Sequence, residues 1–221
     1  MEKRKIIIGT YDTARHGLWT LTGWSLTDAE PKTEFVTVPG HDGDLDLSTV
    51  LTDGEPRYSS RTLTATFESS EGTRQEREER IRQMVNGLDG YRTDIILPDD
   101  PNHHITGRVH VKRLYNDLAH ASVEVTATCD PWRYNDTETV VRLQATEAEQ
   151  TRTLFNSGRR SAMPSIIVQG GDVNLRFGTS SWVLSAGEYI LPDLYLRPGE
   201  FQIHYSGTGR LILTYREAVL E

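Results

Sequence analysis

The chain has 221 residues, of which 36 % are hydrophobic and 25 % charged, and its formal net charge is −8 at pH 7. This composition is typical of a folded soluble protein and excludes intrinsic disorder, and the acidic balance disfavours a protein that grips nucleic acid by neutralising phosphates. A single cysteine, Cys129, excludes an internal disulfide framework. No apolar run approaches the ~20 residues that span a bilayer, and Ile6–Ile8 is too short for a signal-peptide core. We therefore expect synthesis in a cytoplasm and no membrane insertion.

Alternation of apolar and polar residues predicts a mainly β chain, because a period of two places one face of a strand in the core. In residues 121–129, Val123, Val125, Ala127 and Cys129 share one face. This position makes Cys129 a small core residue, since a nucleophilic cysteine needs a histidine beside it. The strands predicted in the first part of the chain are 5–9, 19–26, 34–38, 61–67, 94–97, 105–114 and 121–129.

The stretch PGHDGDLDLS, residues 39–48, places Asp42, Asp44 and Asp46 at alternate positions, as at the start of an EF-hand calcium loop. An EF-hand needs glycine at the sixth position and a bidentate glutamate at the twelfth. Those positions hold Leu47 and Asp53. The stretch is therefore predicted to be a loop that leads into an extended, edge-pairing segment, and not a metal site.

One helix is predicted at about residues 73–88. Thr73 and Glu76 have the spacing of a capping box, in which each side chain satisfies an exposed N–H of the first turn. The apolar residues at helical spacing are Ile81, Met84, Val85 and Leu88. Because the first turns lack apolar residues, only the C-terminal half is expected to pack firmly.

His103 and His104 follow Asp99 and Asp100 and suggest a metal cluster at first sight. Adjacent side chains on a strand point to opposite faces, so the two histidines cannot easily bind one ion. The segment is interpreted as a polar hairpin turn. The sequence thus predicts no catalytic, cofactor-binding or metal-binding residue and no cofactor, and no partner-binding residue can be assigned from it.

A boundary is expected after Asp130–Asn135, because Pro131 cannot continue the ladder of the preceding strand. Residues 1–137 contain 16 basic and 23 acidic residues, whereas residues 138–221 contain 8 and 9, which suggests two domains with these bounds. Residues 140–155 read as a polar connection. The strands predicted after it are 165–169, 173–177, 182–184, 188–191, 201–205 and 211–215, a pattern typical of a compact sandwich.

Aromatic residues are sparse, and several lie near turns. Those considered as candidates are Trp132, Tyr134, Trp182, Tyr189, Tyr195, Phe201 and Tyr205. Those in the second part could form a sugar platform, although aromatic residues more often fill sandwich cores and seams.

Short motifs occur in a fixed order along almost the whole chain. In the first part they are Gly40-His-Asp-Gly43, Asp44-Leu-Asp-Leu47, Tyr58-Ser-Ser-Arg61, Asn86-Gly-Leu-Asp-Gly90, Leu97-Pro-Asp-Asp100, Gly107-Arg108 and Asp130-Pro-Trp-Arg-Tyr134. In the second part they are Phe155-Asn-Ser-Gly158, Pro164-Ser-Ile-Ile-Val168, Leu184-Ser-Ala-Gly187, Leu196-Arg-Pro-Gly199, Gly207-Thr-Gly209 and Leu211-Ile-Leu-Thr-Tyr-Arg-Glu217. This order resembles the distal tail (Dit) family of bacteriophages and prophages with long, non-contractile tails.

The resemblance implies a tail-tube-like, ring-forming N-terminal β-sandwich with one helix (residues 1–137) and a C-terminal galectin-like β-sandwich (residues 138–221). It implies a non-enzymatic structural protein of the virion tail tip, or baseplate, made in the bacterial host cytoplasm. Such proteins form a hexameric ring, or two stacked rings, that joins the tail tube protein to the tail-associated adhesion or lysis protein and often to receptor-binding proteins. DNA passes through the channel without specific binding. In this reading PGHDGDLDLS lies at the subunit interface.

Two other classes of function remain open from the sequence. The first is a monomeric carbohydrate-binding module that uses the aromatic residues of the second domain, although the galectin run His-x-Asn-Pro-Arg is absent from this sequence. The second is a cell-wall hydrolase acting through carboxylates, which the lack of any recognisable nucleophile or metal motif disfavours.

Overall fold

The computed structural model describes residues 5–52 and 54–221, and the chain forms two compact units that divide between Arg133 and Tyr134. The predicted boundary at residue 137 lies slightly further along the chain. Both units are built mainly from antiparallel strands, which confirms the mainly β fold. Within the described residues, no helix is long and apolar enough to cross a bilayer.

The first unit is one large sheet with two helices and a separate two-stranded sheet. Its elements are β1 (Ile7–Ile8), β2 (Tyr11–Asp12), α1 (Thr13–Gly17), β3 (Thr20–Leu26), β4 (Phe35–Thr37), β5 (Asp44–Asp46), β6 (Arg61–Ser69), α2 (Arg74–Leu88), β7 (Arg92–Leu97), β8 (Asp100–Asn116) and β9 (Ala121–Asn135), of which the last two residues of β9 belong to the second unit. The strand order in the large sheet is β2-β1-β7-β8-β9-β6-β3, and β4 pairs only with β5. The short helix α1 was not predicted.

The core of the first unit lies on one face of β6 and β9, as their period of two predicts. Leu63, Ala65 and Phe67 of β6 are buried opposite Ala127, Val125 and Val123 of β9. The helix α2 adds Ile81, Met84 and Leu88 to the same cluster and packs against β8. The alternation in the sequence therefore identifies the central strands of this unit correctly.

The capping box of α2 is confirmed. The Thr73 N–H donates to Glu76 Oε2 at 2.6 Å, and the Glu76 N–H donates to Thr73 Oγ1 at 3.3 Å. The expectation that only the C-terminal half of α2 packs is wrong, because Arg77 in its first half is only 2 % exposed. A charged side chain can be buried here because its guanidinium donates hydrogen bonds to backbone carbonyl groups. Arg77 donates to the carbonyl oxygens of Gly72, Asp117 and Leu118 at 2.6, 2.9 and 3.0 Å.

The expected end of a strand before Pro131 is also wrong, since β9 continues through Pro131 to Asn135. Pairing between β6 and β9 ends at Arg61 and Cys129. Pro131 lies beyond that ladder, so its missing N–H removes no hydrogen bond to β6.

The second unit is a β-sandwich of two four-stranded sheets. Its strands are β10 (Thr139–Gln144), β11 (Gln150–Asn156), β12 (Ser165–Gln169), β13 (Val173–Phe177), β14 (Ser180–Leu184), β15 (Gly187–Ile190), β16 (Gly199–Gly207) and β17 (Arg210–Tyr215). A short further strand, β18 (Ala218–Val219), lies outside these two sheets. One sheet has the order β10-β17-β12-β15 and the other β11-β16-β13-β14. The predicted sandwich is confirmed, and β12 and β13 have the predicted bounds.

Residues 140–155 are not a polar connection as predicted, because they contain most of β10 and β11. The strand β10 pairs with β17 along its length, and β11 pairs with β16. Leu143 and Leu154 supply the buried apolar side chains of these strands, while most of their neighbours are polar and face outward. Two buried leucines in a polar run were too weak a pattern to predict strands.

Candidate functional site

An arm of residues 28–57 connects β3 to β6 without joining the large sheet. Its centre is the β4–β5 pair, in which Phe35 lies opposite Asp46, Val36 opposite Leu45 and Thr37 opposite Asp44. An isolated bridge between Pro31 and Tyr58 lies at its base. Among the described residues, no hydrophobic side chain of the arm belongs to the buried core.

The arm instead exposes apolar side chains along much of its length. They are Phe35, Val36, Val38, Leu45, Val50 and Leu51, and Leu51 is 96 % exposed. Single exposed apolar residues are ordinary on protein surfaces, but a group of them on one projecting segment marks an interaction surface. This arm is the first candidate functional site.

PGHDGDLDLS forms the return strand of the arm, and its aspartates serve local turn structure. Thr37 Oγ1 donates to Asp44 Oδ1 at 2.8 Å, and the Ser48 N–H donates to Asp46 Oδ1 at 2.9 Å. The Ser48 hydroxyl and N–H lower the pKa of Asp46. The extended segment pairs with β4 of its own chain, and Asp53 lies outside the described residues. Where the structure describes the chain, no group of three or more metal-binding side chains is assembled.

A cleft of about 520 Å³ lies in the arm beside its exposed leucines. It is lined by Lys32, Thr33, Glu34, Leu47, Ser48, Val50, Leu51 and Arg57. Leu47, Val50 and Leu51 supply apolar lining, and Lys32 and Arg57 add positive charge. The residues that line this arm cleft were not singled out from the sequence, apart from Leu47.

The hairpin turn predicted for the segment that contains His103 and His104 is present, but the two histidines lie after it, in β8. The turn is made earlier, at Pro98 and Asp99. His103 Nδ1 lies 2.7 Å from Asp100 Oδ1, whereas His104 is buried with Nε2 3.9 Å from Asp94 Oδ2. The two imidazoles thus face different carboxylates, as expected for adjacent residues of a strand.

Asp100 also accepts a hydrogen bond from Arg133 Nη1 at 2.9 Å. Partial burial of Asp100 opposes its ionisation, but the hydrogen bonds from His103 and Arg133 outweigh burial and lower the pKa of Asp100. These contacts form a structural ion-pair cluster, since every carboxylate oxygen of Asp100 already has a cationic or imidazole partner.

Cys129 is a core residue, as predicted: it is 1 % exposed, and burial raises the pKa of its thiol to about 11. At pH 8 the thiolate is then about one part in a thousand. We expect an aromatic disulfide reagent at pH 8 to label native protein far more slowly than protein in urea, where one thiol per chain reacts at once. Equal rates would show that Cys129 is accessible and would contradict its assignment to the core.

The second unit holds a cleft of about 440 Å³ at one end of the sandwich. It is lined by Phe177, Gly178, Thr179, Ser180, Asp193, Tyr195, Arg197, Pro198, Glu200 and Phe201. Phe177 and Phe201 meet edge to face at 6.2 Å, and the Arg197 guanidinium lies 5.3 Å from the centre of the Tyr195 ring. One face of the Tyr195 ring is therefore already occupied by a cation.

The aromatic residues singled out from the sequence are only partly brought together. Tyr195 and Phe201 line the cleft of the second unit, whereas Tyr205 is buried in the core and Trp182 and Tyr189 pack against it. Trp132 meets Tyr58 edge to face in the first unit, and Tyr134 lies 5.9 Å from the Arg160 guanidinium in the second. Most of these aromatic residues are therefore packing groups, in line with the alternative weighed from the sequence.

Comparison with known proteins shows a likeness in fold alone. No family model matches the chain, and no curated protein matches it. The chain is similar to the crystal structure of the SPP1 Dit protein (gp 19.1), described as a paradigm of the hub adsorption apparatus in phages that infect Gram-positive hosts. The TM-score is 0.67 at 14 % identity, and the likeness covers 97 % of this chain and 98 % of the other.

Proposed function

We propose that this protein is a structural, non-enzymatic hub of a phage or prophage tail tip, in which copies of the chain form a ring. The observation that carries the proposal is the arm, which exposes Phe35, Leu45, Val50 and Leu51 without any cover from its own unit. The likeness to the SPP1 Dit fold over nearly the whole of both chains supports it.

Burying these side chains between copies favours assembly. Full burial of a Val, Leu or Phe side chain contributes about 1.5–3 kcal/mol. A surface that contacts a different surface on the next copy makes a head-to-tail contact, and such contacts close into a ring when their rotation divides the circle. The ring we propose is a hexamer, single or stacked, that joins the tail tube protein to the adhesion or lysis protein and the receptor-binding proteins of the tip.

The acidic balance of residues 1–137 fits a ring whose channel lets DNA pass without holding it. A channel wall of the same sign as the phosphates repels them and does not retain the genome. The proposed location is therefore the virion tail tip, where DNA passes through the channel without being bound.

The test is the mass of the protein by light scattering over a range of concentrations, with negative-stain images of the same samples, alone and mixed with the tail tube protein. We expect rings with an open channel for the unchanged chain and monomers for Leu51→Asp. The matched control is Val183→Asp, which changes a residue that is 75 % exposed in the second unit and should leave rings intact. An unchanged chain that stays monomeric at every concentration, alone and in the mixture, would overturn the proposal.

The second candidate is a monomeric carbohydrate-binding module, and the cleft that contains Tyr195 and Phe201 is the observation that favours it. This alternative predicts saturable binding on a glycan array by the full chain, lost in Tyr195→Ala, together with a monomeric mass. Ring formation with no glycan bound would remove it.

A further inference from the structure

The turn between β8 and β9 is a second exposed apolar feature of the first unit. We call residues 114–120 the hairpin tip. Its exposed apolar side chains are Leu114, Tyr115 and Leu118, and Leu118 is 90 % exposed. Leu118 stands at the end of the hairpin formed by two of the longest strands in the chain.

Hydrogen bonds fix the backbone of the hairpin tip, although its apolar side chains face solvent. The buried Arg77 donates to the carbonyl oxygens of both Asp117 and Leu118. Asp117 Oδ1 accepts from the Ala119 and His120 N–H groups, each at 2.8 Å. A side chain presented on an ordered backbone loses less entropy when it docks, so this bracing prepares Leu118 for binding.

The exposed large apolar residues of the first unit fall into two main groups. One is the hairpin tip, and the other is the arm with its cleft; Leu18 and Tyr91 are the remaining two among the described residues. Two unlike apolar surfaces on one unit are what a head-to-tail contact between identical chains requires.

The lining of the arm cleft is positive on balance and the hairpin tip carries carboxylates, whereas the other charged residues of the arm are acidic. The arm cleft is lined by Lys32 and Arg57 against a single carboxylate, Glu34. The hairpin tip carries Asp117, whose pKa is lowered by the N–H groups of His120 and Ala119, and Glu68 lies beside it as the acceptor of the Tyr115 hydroxyl at 3.1 Å. Opposite charges around an apolar centre favour one relative orientation of two copies.

We propose that Leu118 of one copy inserts into the arm cleft of the next copy, against Leu47, Val50 and Leu51. The partner is a second copy of this chain. The contact rests on the proposed ring function and is the interface between neighbouring copies in that ring. The charged rim then brings Asp117 of one copy towards Lys32 and Arg57 of the other. Each copy uses its hairpin tip on one side and its arm on the other.

The test is disulfide trapping with Leu118→Cys and Leu51→Cys in the same chain. Cys129 can remain, because its thiol is buried. We expect oxidation to give a ladder of covalent multimers on a non-reducing gel, while each single variant gives no ladder. Leu118→Cys combined with Val183→Cys is the matched control, since Val183 lies on the second unit, and it should remain without a ladder.

The outcomes separate this contact from ring formation itself. Rings in the unchanged protein without trapping in the double variant would overturn the inference and leave the hub proposal standing. Dimers from Leu118→Cys alone would show tip-to-tip pairing and would also overturn it. So would a Leu118→Asp variant that still forms rings but no longer joins the tail tube protein, because the tip would then contact that protein. If the unchanged chain forms no rings, the proposed function is overturned, and the contact proposed here is overturned with it.

Discussion

Replacing Arg77 by methionine is expected to lower the free energy of unfolding of the first unit by about 3 kcal/mol, because hydrogen bonds to a charged donor contribute about 1.5–3 kcal/mol each and part of this is offset by removing a buried charge. Methionine keeps most of the length and apolar volume of the side chain and removes the guanidinium. The three carbonyl groups that lose their donor belong to Gly72, Asp117 and Leu118. The substitution therefore removes the hydrogen bonds that Arg77 of α2 donates to the hairpin tip.

Arg82→Met is the matched control for this prediction, since Arg82 lies on the same helix with 60 % of its side chain exposed. It should change stability by less than about 0.5 kcal/mol, as surface substitutions usually do. Urea unfolding gives the overall change. Hydrogen exchange of peptides that contain residues 114–120 tests the mechanism, because protection there should fall in Arg77→Met only. Equal effects of the two substitutions would show that Arg77 does not brace the hairpin tip.

Replacing Gly207 by alanine is expected to destabilise the second unit by about 3 kcal/mol, because two penalties add. The φ angle of Gly207 is +131°, which side chains rarely adopt, and an added Cβ would lie 2.2 Å from the carbonyl oxygen of Asp172. That oxygen accepts the Thr208 N–H at 3.0 Å and sits where β13 pairs with β16. The clash is with backbone, so it cannot be relieved by a side-chain rotation.

Gly170→Ala separates the two penalties, since Gly170 also has a positive φ of +83° but has open space around its Cβ position. It should cost about 1 kcal/mol, the penalty for the left-handed conformation alone. Hydrogen exchange of the second-unit peptides, with urea unfolding followed through Trp182, measures both variants. A Gly207→Ala protein as stable as Gly170→Ala would rule out the steric account.

Local sequence patterns predicted those elements whose own residues show a strand period, a helix period or a cap. The alternation in β6 and β9 identifies their buried face, and the capping box and apolar spacing identify α2 almost to the residue. In the second unit, short apolar runs between turn residues predict β12 and β13 with their observed bounds. Cys129 belongs to the same class, because its burial follows from its place on the inner face of β9.

Apart from the short helix α1, the elements that sequence analysis missed are stabilised by partners far along the chain. The strands β10 and β11 are mostly polar and exist because β17 and β16 supply their hydrogen bonds. Arg77 can be buried because carbonyl groups about 40 residues away along the chain accept its hydrogen bonds. The strand β8 begins at Asp100, before the predicted strand 105–114, and it therefore includes His103 and His104.

For the candidate site, PGHDGDLDLS was predicted to be a loop that leads into an extended segment, and the resemblance implied a subunit interface there, but neither identified the cleft. Leu51 and Leu118 look like any other leucine in the sequence, since exposure is a property of what packs around a residue and not of its type. By itself, the sequence determined the β character of both units, their central strands, the main helix and the buried cysteine, because a period of two, a period of 3.6 and a cap are local. Only the tertiary structure decided which apolar side chains remain uncovered, because that depends on which distant strands come together.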